Sequence, residues 1–234
     1  MFDETWGLIQ SCISYGFAAP HAAATSLDMC YGAYLKVNYP LEYYKVCLDN
    51  YADDEVRTKK LINELKYFDI KFETVKFRHS TSNHMYDRET NTIYKGLSSI
   101  KFISASIGDE LYALKDNSYD NFTALLIDIT NNTSVNTKQL DILIKSDFFS
   151  EFGNVNKLLN VNSFFQKLYD KGKQAFKRQL KKDKVQEIGL TDEAVRTFCH
   201  KETDKTYMQV DFYSMLCEIE KKVMPMLTEL ENEI

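Results

Sequence analysis

Three small groups of side chains in this 234-residue chain have types that do chemistry. Asp53, Asp54 and Glu55 are adjacent carboxylates. Such a run can bind a cation, but at a helix start it more often caps backbone amides and complements the helix dipole. His79 and His84 lie five residues apart, and Cys199 directly precedes His200. Each pair offers two metal ligands where a structural zinc needs about four, and neither neighbourhood supplies the rest. Packing and capping roles are therefore expected for all three groups. The chain also has no Gly-rich phosphate loop, no nucleophile elbow around a serine and no Asp-x-Asp metal motif. The fourth group is a charge cluster. Between positions 157 and 184 stand nine basic residues (Lys157, Lys167, Lys171, Lys173, Lys177, Arg178, Lys181, Lys182, Lys184) against Asp170 and Asp183. That segment carries +7 in a chain of net charge −5, which leaves −12 elsewhere. An acidic chain with one basic segment can bind a polyanion locally, because the field at contact range decides. A solvated helix face is the other reading of the same residues.

The elements that must carry these groups read as mainly helical. With 44% hydrophobic and 27% charged residues, 3 Pro and 8 Gly, the composition excludes disorder, collagen-like repeats and a flexible linker. The length suits one large domain or two small ones. No apolar run approaches the ~20 residues of a membrane span, and the acidic opening MFDETWGLIQ is not a signal peptide. Five cysteines without CxxC spacing point to reduced thiols in a cytoplasmic protein. Apolar periodicity predicts helices over residues 6–15, from Pro20 through Val37, from Pro40 to about Tyr51, and from an Asp53 cap to about Phe68. Residues 70–77 alternate like a strand, and 83–95 resemble two short strands around a turn at 88–91, giving a small antiparallel element. Short helices follow over 97–103, 107–115, 119–128, 136–146 and 154–168, then a basic helix from 163 to about 186. Two more helices are predicted at 191–201 and 208–232. From position 187 onward there are eleven acids against five bases, and Met208, Met215, Leu216, Ile219, Val223 and Leu227 form either a docking face or a plain core face.

Residues 6–50 carry a resemblance to a known family. Tyr15-Gly-Phe-Ala-Ala-Pro-His-Ala-Ala-Ala-Thr is followed by Ala33-Tyr-Leu-Lys36 and Tyr39-Pro-Leu-Glu-Tyr43. This is similar to the fingers region of the C-family bacterial replicative DNA polymerases, the DNA polymerase III alpha subunits. Ile93-Tyr-Lys-Gly-Leu-Ser-Ser-Ile-Lys101 resembles the opening of that family's tandem helix-hairpin-helix region, and residues 135–153 resemble its second unit. The resemblance implies a fingers-like part at 1–69 and a linker with short strands at 70–96. It further implies degenerate hairpin units at 97–160, with the basic helix and acidic helical tail at 161–234. It places His21 and Thr25 near the incoming nucleotide. It also implies that Lys95, Lys101, Lys138, Lys171, Lys173, Lys177, Arg178, Lys181 and Lys182 meet duplex phosphates. The implied partners are primer–template DNA, the remaining polymerase domains or subunit, and the sliding clamp or other replication proteins, with no membrane. No cofactor is implied for this segment, since Mg2+ and the nucleoside triphosphate belong to a palm domain that would precede it. A chain opening at Met1 then reads as an excised fragment or as a gene split at this point.

Three departures from the family pattern bear on this. Thr25 stands where the family has Tyr, so its reach toward a base is shorter. Phe102-Ile103-Ser104 replaces the Gly-x-Gly turn of the first hairpin, making positive φ and close backbone approach costly. Asp147 replaces a glycine of the second unit, which would put negative charge beside phosphate. The competing expectation is a non-catalytic helical protein-interaction module derived from the same polymerase region.

Overall fold

The computed structural model describes residues 2–13, 19–169 and 177–231 of the chain. Four helices lead: α1 (Phe2–Ile13), α2 (Ala19–Asn38), α3 (Pro40–Asn50) and α4 (Glu55–Leu65). Pro40 takes the first turn of α3, where its missing N–H costs nothing. Asp54, one residue later than expected, caps α4 by accepting from the Arg57 amide at 3.0 Å. The junction of α2, α3 and α4 explains residues of the AYLK…YPLEYY pattern. The Lys36 ammonium pairs with Glu64 at 2.7 Å, and the Tyr44 hydroxyl donates to the same carboxylate at 3.0 Å. Tyr44 is fully buried with Leu41, Leu48, Leu65, Ile70 and Ile93. Burial, and next the Glu64 carboxylate, push its phenol up to about 12.

The predicted strand pair around the 88–91 turn is present as β2 (Met85–Asp87) and β3 (Thr92–Tyr94), antiparallel with Met85 opposite Tyr94. The strand predicted over 70–77 is shorter, β1 (Lys71–Glu73), and it pairs parallel to β3, so the element is mixed rather than purely antiparallel. Val75 and Phe77 cause the difference. Both turn away into the main core, where the Phe77 amide donates to the Phe148 carbonyl at 2.8 Å, and the chain must loop back before β2. His79 and His84 part company here. The His79 ring stacks on Tyr94 at 4.6 Å, while His84 is buried with Nδ1 at 2.7 Å from Asp49 Oδ1.

Burial pushes the His84 imidazole below its ordinary value, outweighing the Asp49 carboxylate that favours the charged ring. The folded state thus binds this proton less tightly than the unfolded chain. Its stability is complete above the ordinary His pKa of about 6.5 and falls as pH drops toward the folded-state value. Asp49 works in the same sense: burial raises its pKa, but Lys45 and His84 overcome that and hold it low, so acid weakens the contact. The melting temperature is expected to be lower near about pH 5 than near about pH 7. His84→Gln should shrink that difference; an unchanged difference would remove His84 as its source.

The central helices are α5 (Ala105–Ala113), α6 (Phe122–Asn132), α7 (Thr137–Lys145) and α8 (Val155–Leu168). One buried cluster joins them, running from Val75 through Leu111, Leu126, Leu143 and Phe165 to Leu216. Gly96 and Gly108 let this layer approach the 82–84 segment. A Cβ on Gly96 would stand 2.5 Å from the Asn83 carbonyl carbon, and one on Gly108 would stand 2.8 Å from Ser82 Cα.

The long basic helix expected over 163–186 is not formed. Helix α8 ends at Leu168, and Lys177–Lys181 is a strand, β4, in a second sheet of order β4-β6-β5 with β5 (Lys201–Glu202) and β6 (Thr206–Asp211). Both pairings are antiparallel. In Thr206–Asp211 the buried residues are Tyr207 and Val210, three positions apart, and Leu180 lies opposite Tyr207. One extra residue on β6 is absorbed beside Gln209, which takes φ 52°. Within Lys177–Lys181 the one apolar residue, Leu180, is buried by the strand pairing. The 191–201 and 208–232 helices are correspondingly shortened to α10 (Asp192–Arg196) and α11 (Phe212–Glu231), preceded by α9 (Lys182–Glu187). Met215 and Leu216 are core residues. Cys30, Cys47, Cys199 and Cys217 are free thiols. Among the described residues no helix is long and apolar enough to cross a membrane.

Candidate nucleic-acid interface

Two hairpin turns converge on one surface. The first, residues 101–104, joins a short 3-10 turn (Leu97–Ser99) to α5. The second, residues 133–136, joins α6 to α7, whose start is fixed by a capping box between Asn136 and Gln139. Gln139 also reaches across and donates from Nε2 to the Phe102 carbonyl at 2.9 Å, tying the two turns together. This brings Lys138 beside the first turn. Its ammonium lies 4.0 Å from the Phe102 ring centroid, and that of Lys101 lies 5.2 Å away. Two of the sequence-predicted basic residues, 37 positions apart, therefore share one aromatic ring. All three side chains are exposed, and Phe102 is 54% exposed.

Phe102 occupies the position of a family glycine and adopts φ 75°. The turn keeps its left-handed geometry without the glycine, at a cost of about 1–2 kcal/mol. Positive φ is kept at that cost; what changes is that a bulky ring, instead of bare backbone, fronts the turn. Each exposed cation–π contact returns only about 0.5–1 kcal/mol.

Asp147 has a different place from the one its motif position suggested. It lies beyond the C-terminus of α7, at the opposite end of that helix from the 133–136 turn, with φ 60°. The Phe148 amide donates to the Leu143 carbonyl at 3.1 Å and the Asp147 amide to Ile144 at 3.0 Å, which is a Schellman ending. A glycine there serves the helix terminus, not a phosphate. Asp147→Gly should raise stability by about 1 kcal/mol, relieving both the left-handed carboxylate residue and its clash with the helix dipole. Chemical denaturation checks this; a loss of stability would contradict it.

The second turn already holds an anion. Glu110 of α5 accepts from the Ser134 amide, and the Ser134 hydroxyl is 3.2 Å from its other oxygen. An amide that could meet a phosphate is thereby taken by a carboxylate of the same chain.

The other predicted residues lie in separate neighbourhoods. Lys95 follows β3, half-buried, with its amide on the Glu73 carbonyl at 3.0 Å and its charge helping to depress His84. Lys177, Arg178 and Lys181 belong to β4, with Lys181 exposed. Lys182 is half-buried and paired with Glu202, which also binds Arg196 at 2.9 Å. Lys171 and Lys173 lie outside the described residues. His21 and Thr25 are exposed on α2, one turn apart, and the Thr25 hydroxyl donates to the His21 carbonyl at 2.9 Å. Sequence reasoning missed Phe102 and Gln139, because only the pairing of distant turns gives them a role.

Behind the interface, α11 fixes the hairpin helices. Glu220 is 4% exposed and accepts from the Phe122 and Thr123 amides, both at 2.9 Å, and from the Thr123 hydroxyl at 2.7 Å. Lys157, also buried, stands 3.7 Å away and donates to the Phe152 carbonyl at 2.9 Å. Gly153, at φ 140°, leaves room for it, since a Cβ there would meet Lys157 Cδ at 2.8 Å.

Comparison with known proteins converges on the same region. Residues 69–159 match the family model described as a helix-hairpin-helix motif. The DNA polymerase III subunit alpha of Campylobacter jejuni is 30% identical over 161 residues, covering 67% of this chain and 13% of that protein. Those of Xylella fastidiosa and Bacillus subtilis are each 28% identical, over 154 and 152 residues, covering 64% of this chain and 13% of theirs. The chain thus spans about an eighth of the length of these curated relatives, each 13% covered.

Proposed function

From the premise that residues 69–159 form a helix-hairpin-helix region related to that of the DNA polymerase III alpha subunits, we propose that this chain grips duplex DNA as part of a replicative polymerase. The observation that carries the reading is the convergence of the two hairpin turns, which sets Lys101 and Lys138 on one exposed surface. Ammonium groups at fixed spacing meet phosphates without reading sequence, and each contact releases counterions. Lys181, exposed on β4 away from the two turns, is a further candidate contact, while Lys182 contributes less because Glu202 already neutralises it. In this reading residues 1–69 are the fingers-like part, with His21 presented toward the nucleotide and Thr25 committed to the helix backbone.

The test is fluorescence anisotropy of a labelled primer–template duplex. Micromolar binding at about 50 mM salt, weakened more than about tenfold at about 200 mM, is expected. Absence of binding at the lower salt would overturn the reading.

One observation favours protein docking as a second role. Helices α1 and α2 expose Trp6 (51%), Met29 (69%), Tyr31 (60%) and Val37 (70%), more apolar surface than two solvent-facing helices need. The remaining polymerase domains are the partner this surface fits. A chain that binds such domains but no DNA would make docking its main role.

A further inference from the structure

We infer that Phe102 is a base-stacking tip, by which the first hairpin prefers DNA with an unpaired or terminal base over an uninterrupted duplex. The inference rests on the duplex-binding reading and adds a substrate class to it. The ring is held outward on a left-handed residue, a strained arrangement for a side chain that makes no contribution to the buried core. Its carbonyl is pinned by Gln139, so the tip is positioned by α7 and not only by its own turn. Two ammoniums lie within 4.0 and 5.2 Å of its centroid. A ligand that satisfies the ring and both ammoniums carries a flat π-system beside negative charge, as a nucleotide does. A partner protein would have to bring an apolar pocket and acids together at the same point.

Within an intact duplex each base face is covered by its neighbours, so the ring can stack only where a face is bare. When phosphates approach, Lys101 and Lys138 leave the weak contact with the ring for the stronger one with the backbone, and the ring face becomes available. Aromatic–base stacking tolerates any sequence, which suits a contact made wherever the junction stands.

The experiment compares three labelled DNAs: a dumbbell duplex closed at both ends by base-free linkers, so that it holds no unpaired base, a primer–template with 2-aminopurine as the first unpaired template base, and the corresponding single strand. The chain is expected to bind the primer–template about tenfold more tightly than the dumbbell, and to change the 2-aminopurine emission. Phe102→Tyr should keep the preference. Phe102→Leu and Phe102→Gly should abolish it, bringing the primer–template affinity level with that for the dumbbell. The glycine variant relieves the left-handed strain and is expected to melt higher than the parent, so lost preference there reflects the missing ring and not lost folding. Equal affinity for dumbbell and primer–template, or a preference that survives in Phe102→Leu, would overturn the inference and leave the duplex reading standing. Failure to bind any of the three DNAs at low salt would overturn both.

Discussion

Glu220→Ala should destabilise the protein by about 3–5 kcal/mol, a large part of the roughly 5–15 kcal/mol that holds a domain together. The substitution removes one carboxylate and strands three donors: the Phe122 amide, the Thr123 amide and the Thr123 hydroxyl, all in buried residues. It also leaves the Lys157 ammonium without its nearby charge in a site that is 6% exposed. Asn121 still caps the Ala124 amide at 2.9 Å, so α6 keeps part of its start. Glu220→Gln retains an acceptor but turns an NH2 toward donors, so its loss should be smaller than that of the alanine variant. Urea unfolding measures all three chains, with Glu218→Ala, a half-buried residue of α11 beside Lys221, as the control. If Glu220→Ala shifts the midpoint no more than that control, the clamp is not structural. Glu220 lies beyond residues 69–159, so a piece cut at the end of the helix-hairpin-helix match keeps the Asn121 cap of α6 but loses the acceptor for the Phe122 and Thr123 amides.

The second large effect is on DNA. With about 0.9 counterions released per phosphate contact, the pair Lys101→Ala and Lys138→Ala together should lower the salt slope by about 2. Between about 50 and 200 mM salt, the parent's advantage over this double variant should then shrink by roughly an order of magnitude. The loss should be the same on unrelated sequences, since phosphate contacts carry no base information. Lys182→Ala serves as an internal control, because its ammonium is already paired with Glu202 and should change the slope little. Anisotropy titrations at four or five salt concentrations read both quantities. A double variant with the parental slope would move the phosphate contacts away from the hairpin turns.

Much of this was legible in the residues alone. The mainly helical class, the break at Pro40, the strand pair around residues 88–91 and the helix near 155–168 follow from local preferences and periodicity, which neighbours a few residues away determine. The motif at Ile93–Lys101 also marked the hairpin region, although what requires its glycine is the close approach of Gly96 to Asn83, thirteen positions away. The basic segment departs from the expected helix because its partner is distant. Lys177–Lys181 has no strong periodicity of its own, and its conformation is decided by Thr206–Asp211, nearly thirty positions later in the chain. The parallel pairing of β1 likewise depends on where Val75 and Phe77 find a core.

The site divides in the same way. The sequence by itself determined which charges exist, that glycines were missing from two turn positions, and that helices would carry the motifs. Only the tertiary structure decided that Phe102 keeps the left-handed turn, that Asp147 ends a helix instead of facing phosphate, and that Lys138 meets Lys101 over one ring. The meeting of the two turns is set by the shared core beneath them, which no local pattern records.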